Sequence, residues 1–271
     1  MKTMQGANAG RTITERQQYI LDLVNSQGFA SIEQLAQLFS VSPQTVRRDI
    51  NDLHKKGVLQ RYHGGAGKSS SVENLDYPAR KILCLEEKKK IAQLISAQIP
   101  DHASLFINIG TTTEAVAKQL TRHKGLRVIT NNLNVAMIMS ENEDFEVFVT
   151  GGRVRSKDRG ITGEATRDFI NQFKVDFGII GISGIDSDGS MLDFDYREVR
   201  AAKGIIANSR KVYMVADHTK FGRKAMVRLG KLSEVDALFT DSAPPSELRE
   251  LFSSLETELW VADFDPDTNF N

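Results

Sequence analysis

Two stretches of this 271-residue chain carry side chains whose types and spacing suit recognition chemistry. The first is SVSPQTVRRDINDL, residues 40–53. Val46, Ile50 and Leu53 recur at i, i+4 and i+7 and mark the apolar side of a helix. Gln44, Thr45, Arg47, Arg48 and Asn51 fall on the other side. Guanidinium groups grip guanine edges bidentately, amides pair with adenine, and hydroxyls bond phosphate. Ser42 is placed as the N-cap and Pro43 as the first helical residue, so the helix start offers a further seat for a phosphate.

The second stretch is NIGTTTEAVA, residues 108–117. Gly110 turns the chain, and Thr111, Thr112 and Thr113 lead into a helix. Backbone N–H groups at that start, reinforced by three hydroxyls, suit an anion such as phosphate. The pattern is neither GxGxxG nor a GK[ST] loop, so a nucleotide is not implied. Taken alone, ordinary hydroxyl capping explains it equally well.

Other polar or glycine-rich clusters have the same place in the pattern. TNN (130–132), TGGRVR (150–155), GISGID (181–186) and DHTKFGR (217–223) each follow an apolar run. They bring Gly152, Arg153, Asp217, Lys220 and Gly222 into consideration. Lys220 and Arg153 would balance a phosphate's charge, and Asp217, Asp195 or Glu198 could accept hydrogen bonds from ligand hydroxyls. Surface salt bridges compete as an explanation of Arg153 and the carboxylates, and a tight turn as one of Gly151-Gly152.

No catalytic residue, cofactor or metal is assigned. The five histidines fall at no metal-ligand spacing, and Ser104, Ser183 and Ser190 lack a nucleophile-elbow context. The single cysteine, Cys84, excludes a disulfide framework.

The elements that must position these groups can be read from periodicity. Three short helical patterns fill residues 13–56. In the first, Tyr19 or Ile20, Leu23 and Val24 recur before Gly28. The second begins SIEQ, a capping box of Ser31 with Gln34, and its expected buried stripe is Ile32, Leu35, Leu38 and Phe39. A three-residue turn then leads to the third, which is helix-turn-helix spacing. After Gly57, Val58 and Leu59 are expected to face a core, and Arg61 and His63 precede Gly64-Gly65 as in a β-hairpin wing.

KSSSVENLDYPARKI (68–82) is Ser-rich and marks a linker. Beyond it strands and helices alternate. Strands are expected at 104–109, 126–130, 145–150, 176–182, 211–216, 236–240 and 257–262, with helical stretches at 114–120, 134–139 and 246–255. Apolar strands separated by helices predict an α/β fold with a parallel sheet covered on both faces, and ligands at the carboxyl ends of its strands.

Lys plus Arg and Asp plus Glu both total 35. Residues 1–68 nevertheless hold nine Lys/Arg against five acids, a balance of +4 that leaves −4 for the remainder. A basic N-terminal end fits nucleic acid, although a solvated basic face would look the same. No signal segment and no long apolar run is present, so a cytoplasmic protein without membrane contact is expected.

The stretches VSPQTVRRDINDL, HGGA, NIGTTTEAVA, TNNLNVA, GGRVRSKDRGITGEAT, DFGIIGISGIDSDGS and DHTKFGR together resemble the DeoR family of bacterial transcription repressors, from Ile13 to about Ala262. The resemblance implies an N-terminal winged helix-turn-helix DNA-binding domain (1–66) and a linker (67–84). It implies a Rossmann-like sensor and oligomerisation domain (85–262), similar to ribose-5-phosphate isomerase, and a tail (263–271). Operator DNA would be read by Ser42, Gln44, Thr45, Arg47 and Arg48, with Arg61 and His63 on the wing. An inducer, glycerol 3-phosphate or a related sugar phosphate, would place its phosphate on Gly110, Thr111, Thr112, Thr113 and Lys220. A homo-oligomer, commonly a tetramer, is implied too. Asn108 stands where many members carry Asp, which puts the sugar preference in question. The alternatives are another sugar phosphate as inducer, or an isomerase-like enzyme carrying a DNA-binding module. The leader 1–10 and the tail are expected to be disordered.

Overall fold

The computed structural model describes residues 13–27, 29–62, 64–67 and 74–262. His63, the leader and the tail, each singled out in the sequence, lie outside the described residues. The chain divides into two compact units, Met1–Ser69 and Ser70–Asn271.

The first unit begins with helix α1 (Glu15–Gln27), strand β1 (Phe29–Ser31) and helix α2 (Ile32–Phe39). Ser31 and Gln34 form the expected capping box: Ser31 Oγ accepts from Gln34 N at 3.1 Å, and Gln34 Oε1 accepts from Ser31 N at 3.2 Å. Ser40 then takes a left-handed conformation (φ 51°) that turns the chain into α3 (Pro43–Lys55). Ser42 caps α3 by accepting from Thr45 N at 3.2 Å, with Pro43 in the first turn. Such a cap is worth about 1 kcal/mol.

Val46, Ile50 and Leu53 of α3 pack against Ile20, Val24, Leu35 and Leu59. Each such side chain taken from water contributes about 1.5–3 kcal/mol. A partly buried ion pair adds direction: Arg16 Nε lies 2.6 Å from Asp49 Oδ2, pinning α1 to α3. Strands β2 (Gln60–Tyr62) and β3 (Gly65–Gly67) form the antiparallel wing, and β1 pairs with β3 to complete a three-stranded sheet. Gly65 permits that pairing, because a Cβ there would stand 2.2 Å from the Ala30 carbonyl oxygen.

Two of the expected core positions face solvent. Leu38 is 52% exposed, since at about 100° per residue it falls well off the stripe of Ile32, Leu35 and Ala36. Val58 is 48% exposed while Leu59 is buried, because neighbours on an extended chain point to opposite sides.

Of the stretch 67–84 read as a linker, residues 74–84 are described in the second unit. They contain helix α4 (Tyr77–Ile82), whose Ala79 is buried, as are the flanking Leu75 and Leu83. There follow α5 (Leu85–Ser96), β4 (Ser104–Ile107), α6 (Thr111–Leu120), β5 (Arg127–Thr130), α7 (Leu133–Met139) and β6 (Glu146–Val149). A short hairpin of β7 (Arg153–Val154) and β8 (Ile161–Thr162) leads to α8 (Glu164–Ile170) and β9 (Val175–Gly181). Next come β10 (Gly184–Ile185), β11 (Ser190–Asp193), α9 (Tyr196–Ala207) and β12 (Ser209–Val215). A 3-10 turn at His218–Lys220 precedes β13 (Val227–Lys231), β14 (Ala237–Thr240), α10 (Ser246–Phe252) and β15 (Glu258–Val261).

Seven strands form one sheet in the order β15-β14-β12-β9-β4-β5-β6, every pair parallel. These are the seven expected from the sequence. Their side chains alternate between two cores. Leu105 and Ile107 of β4 pack with α5, α6 and α7, whereas Phe106 packs on the face of α8, α9 and α10. The period of two explains why each strand is apolar throughout. Strands β10, β11 and β13 make a separate antiparallel sheet. The parallel order reverses between β4 and β9, so a crevice opens at their carboxyl ends. Among the described residues, no helix is long and apolar enough to cross a membrane.

Candidate DNA-reading surface and effector pocket

In the first unit, α3 and the wing enclose a groove of about 200 Å³ lined by Ile32, Arg47, Ile50, Asn51, Arg61 and Tyr62. Arg61 Nη1 donates to Asn51 Oδ1 at 2.7 Å. Ser42, Gln44, Arg47, Arg48 and Arg61 are exposed and Thr45 is half-buried. Ser42 and Thr45 spend part of their capacity on each other, with the two hydroxyls 3.0 Å apart. Neither Arg47 nor Arg48 has an ion-pair or hydrogen-bond partner among the described residues. Two exposed guanidinium groups left unpaired beside a helix N-terminus are available to an anionic surface.

In the second unit, the crevice at the reversal of strand order holds a cavity of about 40 Å³. One wall is the loop after β4 and the start of α6, contributing Gly110, Thr111 and Thr112. No side chain caps α6, so its first amides lack a side-chain acceptor. The loop after β9 supplies Gly181 and Ser183, and the cations Arg80, Lys220 and Arg223 stand around the same space. Asp193 and Glu198 line it too, and Ser183 bonds Asp193 through its hydroxyl and Arg223 through its carbonyl.

The pocket holds charges of both signs. Lys220 is 9% exposed and its Nζ sits 3.5 Å from Asp217 Oδ2. Burial works against the Asp217 carboxylate, but Lys220 and Lys88 outweigh it and hold it down to about 2. Burial pulls Lys220 below the usual lysine range, with Asp217 resisting. Among the lining acids burial raises Asp193, and burial together with Asp193 pushes Glu198 up to about 7. Arg155 restrains Glu198: it pairs with it, with Asp195 at 2.9 Å and with Asp158 at 2.6 Å.

The pocket thus unites five of the eleven residues singled out for an effector: Gly110, Thr111, Thr112, Glu198 and Lys220, while Asp195 is taken up by Arg155. Thr113 does not line it. Its hydroxyl donates to the carbonyls of Asn108 and Gly110, both at 2.8 Å, and shapes the loop from behind. Asp217 is fully buried behind Lys220. Gly152 and Arg153 are exposed at the β7 hairpin, away from the lining. Gly152 has φ 134°, and a Cβ there would meet Thr166 Oγ1 at 2.4 Å, so it serves the turn. Gly222, with φ 69°, donates its N–H to Ile185 O and is likewise outside the lining. Asn108 is buried and accepts from Ile109 N at 2.7 Å.

Asn74, Arg80, Ser183, Asp193 and Arg223 line the pocket and were not singled out. Ser183 and Arg223 lie within GISGID and DHTKFGR, so a wider choice within those clusters would have included them. Asn74 and Arg80 belong to the stretch read as linker, and no spacing there marks a site. Among the described residues, no group of three or more His, Cys, Asp or Glu side chains is placed to hold a metal ion.

A winged helix with an unpaired basic recognition surface, joined in one chain to an α/β unit with a polar pocket at its strand ends, is the layout of a ligand-responsive transcription factor. Residues 16–72 match the DeoR-like helix-turn-helix domain, and residues 84–242 match the DeoR C terminal sensor domain. The chain belongs to the DeoR family. It is 52% identical to the glycerol-3-phosphate regulon repressor of Escherichia coli (strain K12) over 246 residues, 91% of this chain and 98% of that protein. It is also 52% identical to the glycerol-3-phosphate regulon repressor of Haemophilus influenzae over 229 residues, 84% of this chain and 89% of that protein. Among solved structures, ribose 5 phosphate isomerase A from Neisseria gonorrhoeae matches 49% of this chain and 52% of its own, with TM-score 0.37 and 14% identity. A likeness of that size supports no conclusion about this chain.

Proposed function

We propose that this protein is a cytoplasmic, non-enzymatic repressor of genes for glycerol 3-phosphate metabolism, released from its operator when glycerol 3-phosphate enters the pocket of the second unit. Identity of 52% to two glycerol-3-phosphate regulon repressors supports the regulon. The observation that carries the effector class is a pocket lined by both cations and carboxylates. Three cations and the uncapped start of α6 suit a phosphate, while Asp193 and Glu198 suit the hydroxyls of a polyol. Arg47 and Arg48 would contact the operator, and Arg61 would fix the wing. Paired winged helices in a homo-oligomer, a tetramer in this reading, would span repeated half-sites. The effector can weaken DNA binding only by its differential affinity for two states, typically about 1–3 kcal/mol of coupling.

The test is fluorescence anisotropy on an operator duplex recovered by selection from random-sequence DNA, at fixed salt, titrated with glycerol 3-phosphate and then with pentose and hexose phosphates. Release by glycerol 3-phosphate alone supports the whole reading. Release by a different sugar phosphate keeps the repressor and changes the effector, and no release by any of them removes the pocket from the account.

A second reading has one observation in its favour. Glu198, pushed up to about 7 in a pocket with Lys220, lies in the range of a general base for sugar-phosphate isomerisation. The Arg155 ion pair occupies Glu198, which favours the sensor. Turnover of ribose 5-phosphate would reverse that preference.

A further inference from the structure

The effector pocket is walled in part by residues that follow directly on the DNA-binding unit in the chain. Asn74 is the first described residue after Gly67. Its Oδ1 accepts from Arg223 Nη2 at 2.8 Å, and its Nδ2 donates to Ser183 Oγ at 3.4 Å. Arg223 also donates to the Ser183 carbonyl at 3.3 Å, and Ser183 Oγ donates to Asp193 Oδ1 at 3.0 Å. Asn74 is therefore tied at once to a cation of the pocket and, through Ser183, to one of its carboxylates.

The cavity of about 40 Å³ has room for only a few water-sized positions, so a larger ligand displaces contacts among the side chains that line it. The walls from β4, β9 and α6 are set in the core, where Ile107, Ile179 and Val116 are fully buried. The wall from Asn74 and α4 is held differently. At its far end, buried Lys88 donates through Nζ to the Leu83 carbonyl and to the Arg80 carbonyl. Arg80 Nε is 3.1 Å from the Leu75 carbonyl and its Nη2 is 3.2 Å from Asp158 Oδ2. At its near end the side-chain bonds are those of Asn74 and, at the start of α4, of Tyr77, whose hydroxyl donates to Glu114 Oε2 at 2.8 Å and accepts from Asn134 Nδ2 at 3.0 Å.

A neutral amide oxygen is a weaker partner for a guanidinium than a phosphate, whose charged, bidentate bonds are roughly twice as strong. From this, resting on the effector reading above, we propose that Asn74 is the positioning residue that links pocket to linker: the effector's phosphate takes Arg223 from Asn74, and the segment from Asn74 to Ile82 is released at its N-terminal end. Because that segment continues backward into the DNA-binding unit, its release is what the operator-bound state loses. The change is a shift between two populations, with Asn74 on Arg223 in one and the phosphate on Arg223 in the other.

The test uses the full chain, glycerol 3-phosphate as probe, and three measurements: calorimetric binding, operator release, and amide hydrogen exchange across residues 74–82. In the wild type, the probe should bind, release the operator, and speed exchange of the Arg80 amide, which bonds to the Asp76 carbonyl. Asn74→Asp places a carboxylate against Arg223 and should raise the concentration for half-maximal release about tenfold. Asn74→Ala removes the competitor and should lower it about threefold. If the probe binds and releases the operator with exchange across 74–82 unchanged and both variants like the wild type, the link through Asn74 is overturned while the repressor reading stands. If the wild type shows no calorimetric binding and keeps its operator, the effector reading fails, and the role of Asn74 fails with it. The exchange measurement on the wild type decides the matter even if a variant folds poorly.

Discussion

Arg61 on the wing and Asn51 on the recognition helix are joined side chain to side chain, Nη1 to Oδ1 at 2.7 Å. The wing therefore presents Arg61 at a fixed place relative to α3. If both residues act as one unit on DNA, Arg61→Ala and Asn51→Ala should each weaken operator binding by about 1–3 kcal/mol, and the double variant by no more than either alone. Additive losses in the four-way binding comparison would show that they reach the DNA independently.

Arg48 should behave differently, since it is exposed and has no partner among the described residues. Arg48→Ala is expected to cost about 1–3 kcal/mol of operator affinity and, where the contact is to phosphate, to reduce the salt slope by about one. Its melting temperature and its affinity for glycerol 3-phosphate should match the wild type. A lower melting temperature would mean that the guanidinium serves the fold.

Lys220 is harder to remove, because Asp217 is fully buried against it. Lys220→Ala should both abolish operator release and destabilise the second unit by about 3–5 kcal/mol, the cost of leaving a buried charge unpaired. The double variant Asp217→Asn with Lys220→Met should recover most of that stability but none of the release. Urea unfolding alongside the anisotropy titration separates the two effects. Thr112→Val, without that electrostatic burden, should weaken release at near-normal stability.

His218 predicts a pH dependence. Its Nδ1 lies 2.6 Å from Asp241 Oδ2, and that hydrogen bond holds the imidazolium above its ordinary range. The native state binds the proton more tightly than the unfolded chain does. The contribution, about 1 kcal/mol or less for a pair of this exposure, is complete below the unfolded value near 6.5 and is lost as the pH rises through the folded one. Unfolding free energies measured from pH 6 to 9 should fall more steeply in the wild type than in His218→Gln. Parallel curves would remove His218 from the balance.

Gly65 is a steric prediction. A Cβ there would stand 2.2 Å from the Ala30 carbonyl oxygen and 2.6 Å from the Phe29 ring. Gly65→Ala should separate β1 from β3 and cost about 1–3 kcal/mol, read as a lower melting temperature of the DNA-binding unit.

The helices of the first unit were legible because their signals are local: Ser31 with Gln34, Ser42 with Pro43, and apolar residues three and four apart. The seven central strands were legible for a related reason, each being a short apolar run ended by polar or glycine residues. Strands β11 and β13 were not, since SMLD and VRLGK pair across more than 30 residues, from Asp193 with Val227 to Ser190 with Lys231, and bear no signal of that pairing. Helix α9 also escaped, its buried face being made of the small residues Ala201, Ala202 and Gly204 with Val199 and Ile205. The pocket was half legible. Gly110 and Lys220 sit at strand ends where topology places ligands, whereas Asn74 and Arg80 reach the pocket by long-range packing of a stretch with no repeating pattern.

The position of Asn74 and Arg80 in the chain bears on how such regulators can be recombined. Both fall between the helix-turn-helix match, which ends at residue 72, and the sensor match, which begins at residue 84. A hybrid joined at the start of the sensor match would inherit its pocket from two parents, the floor from one and part of the wall from the other. A junction placed before Asn74 would move the pocket as a single inheritance.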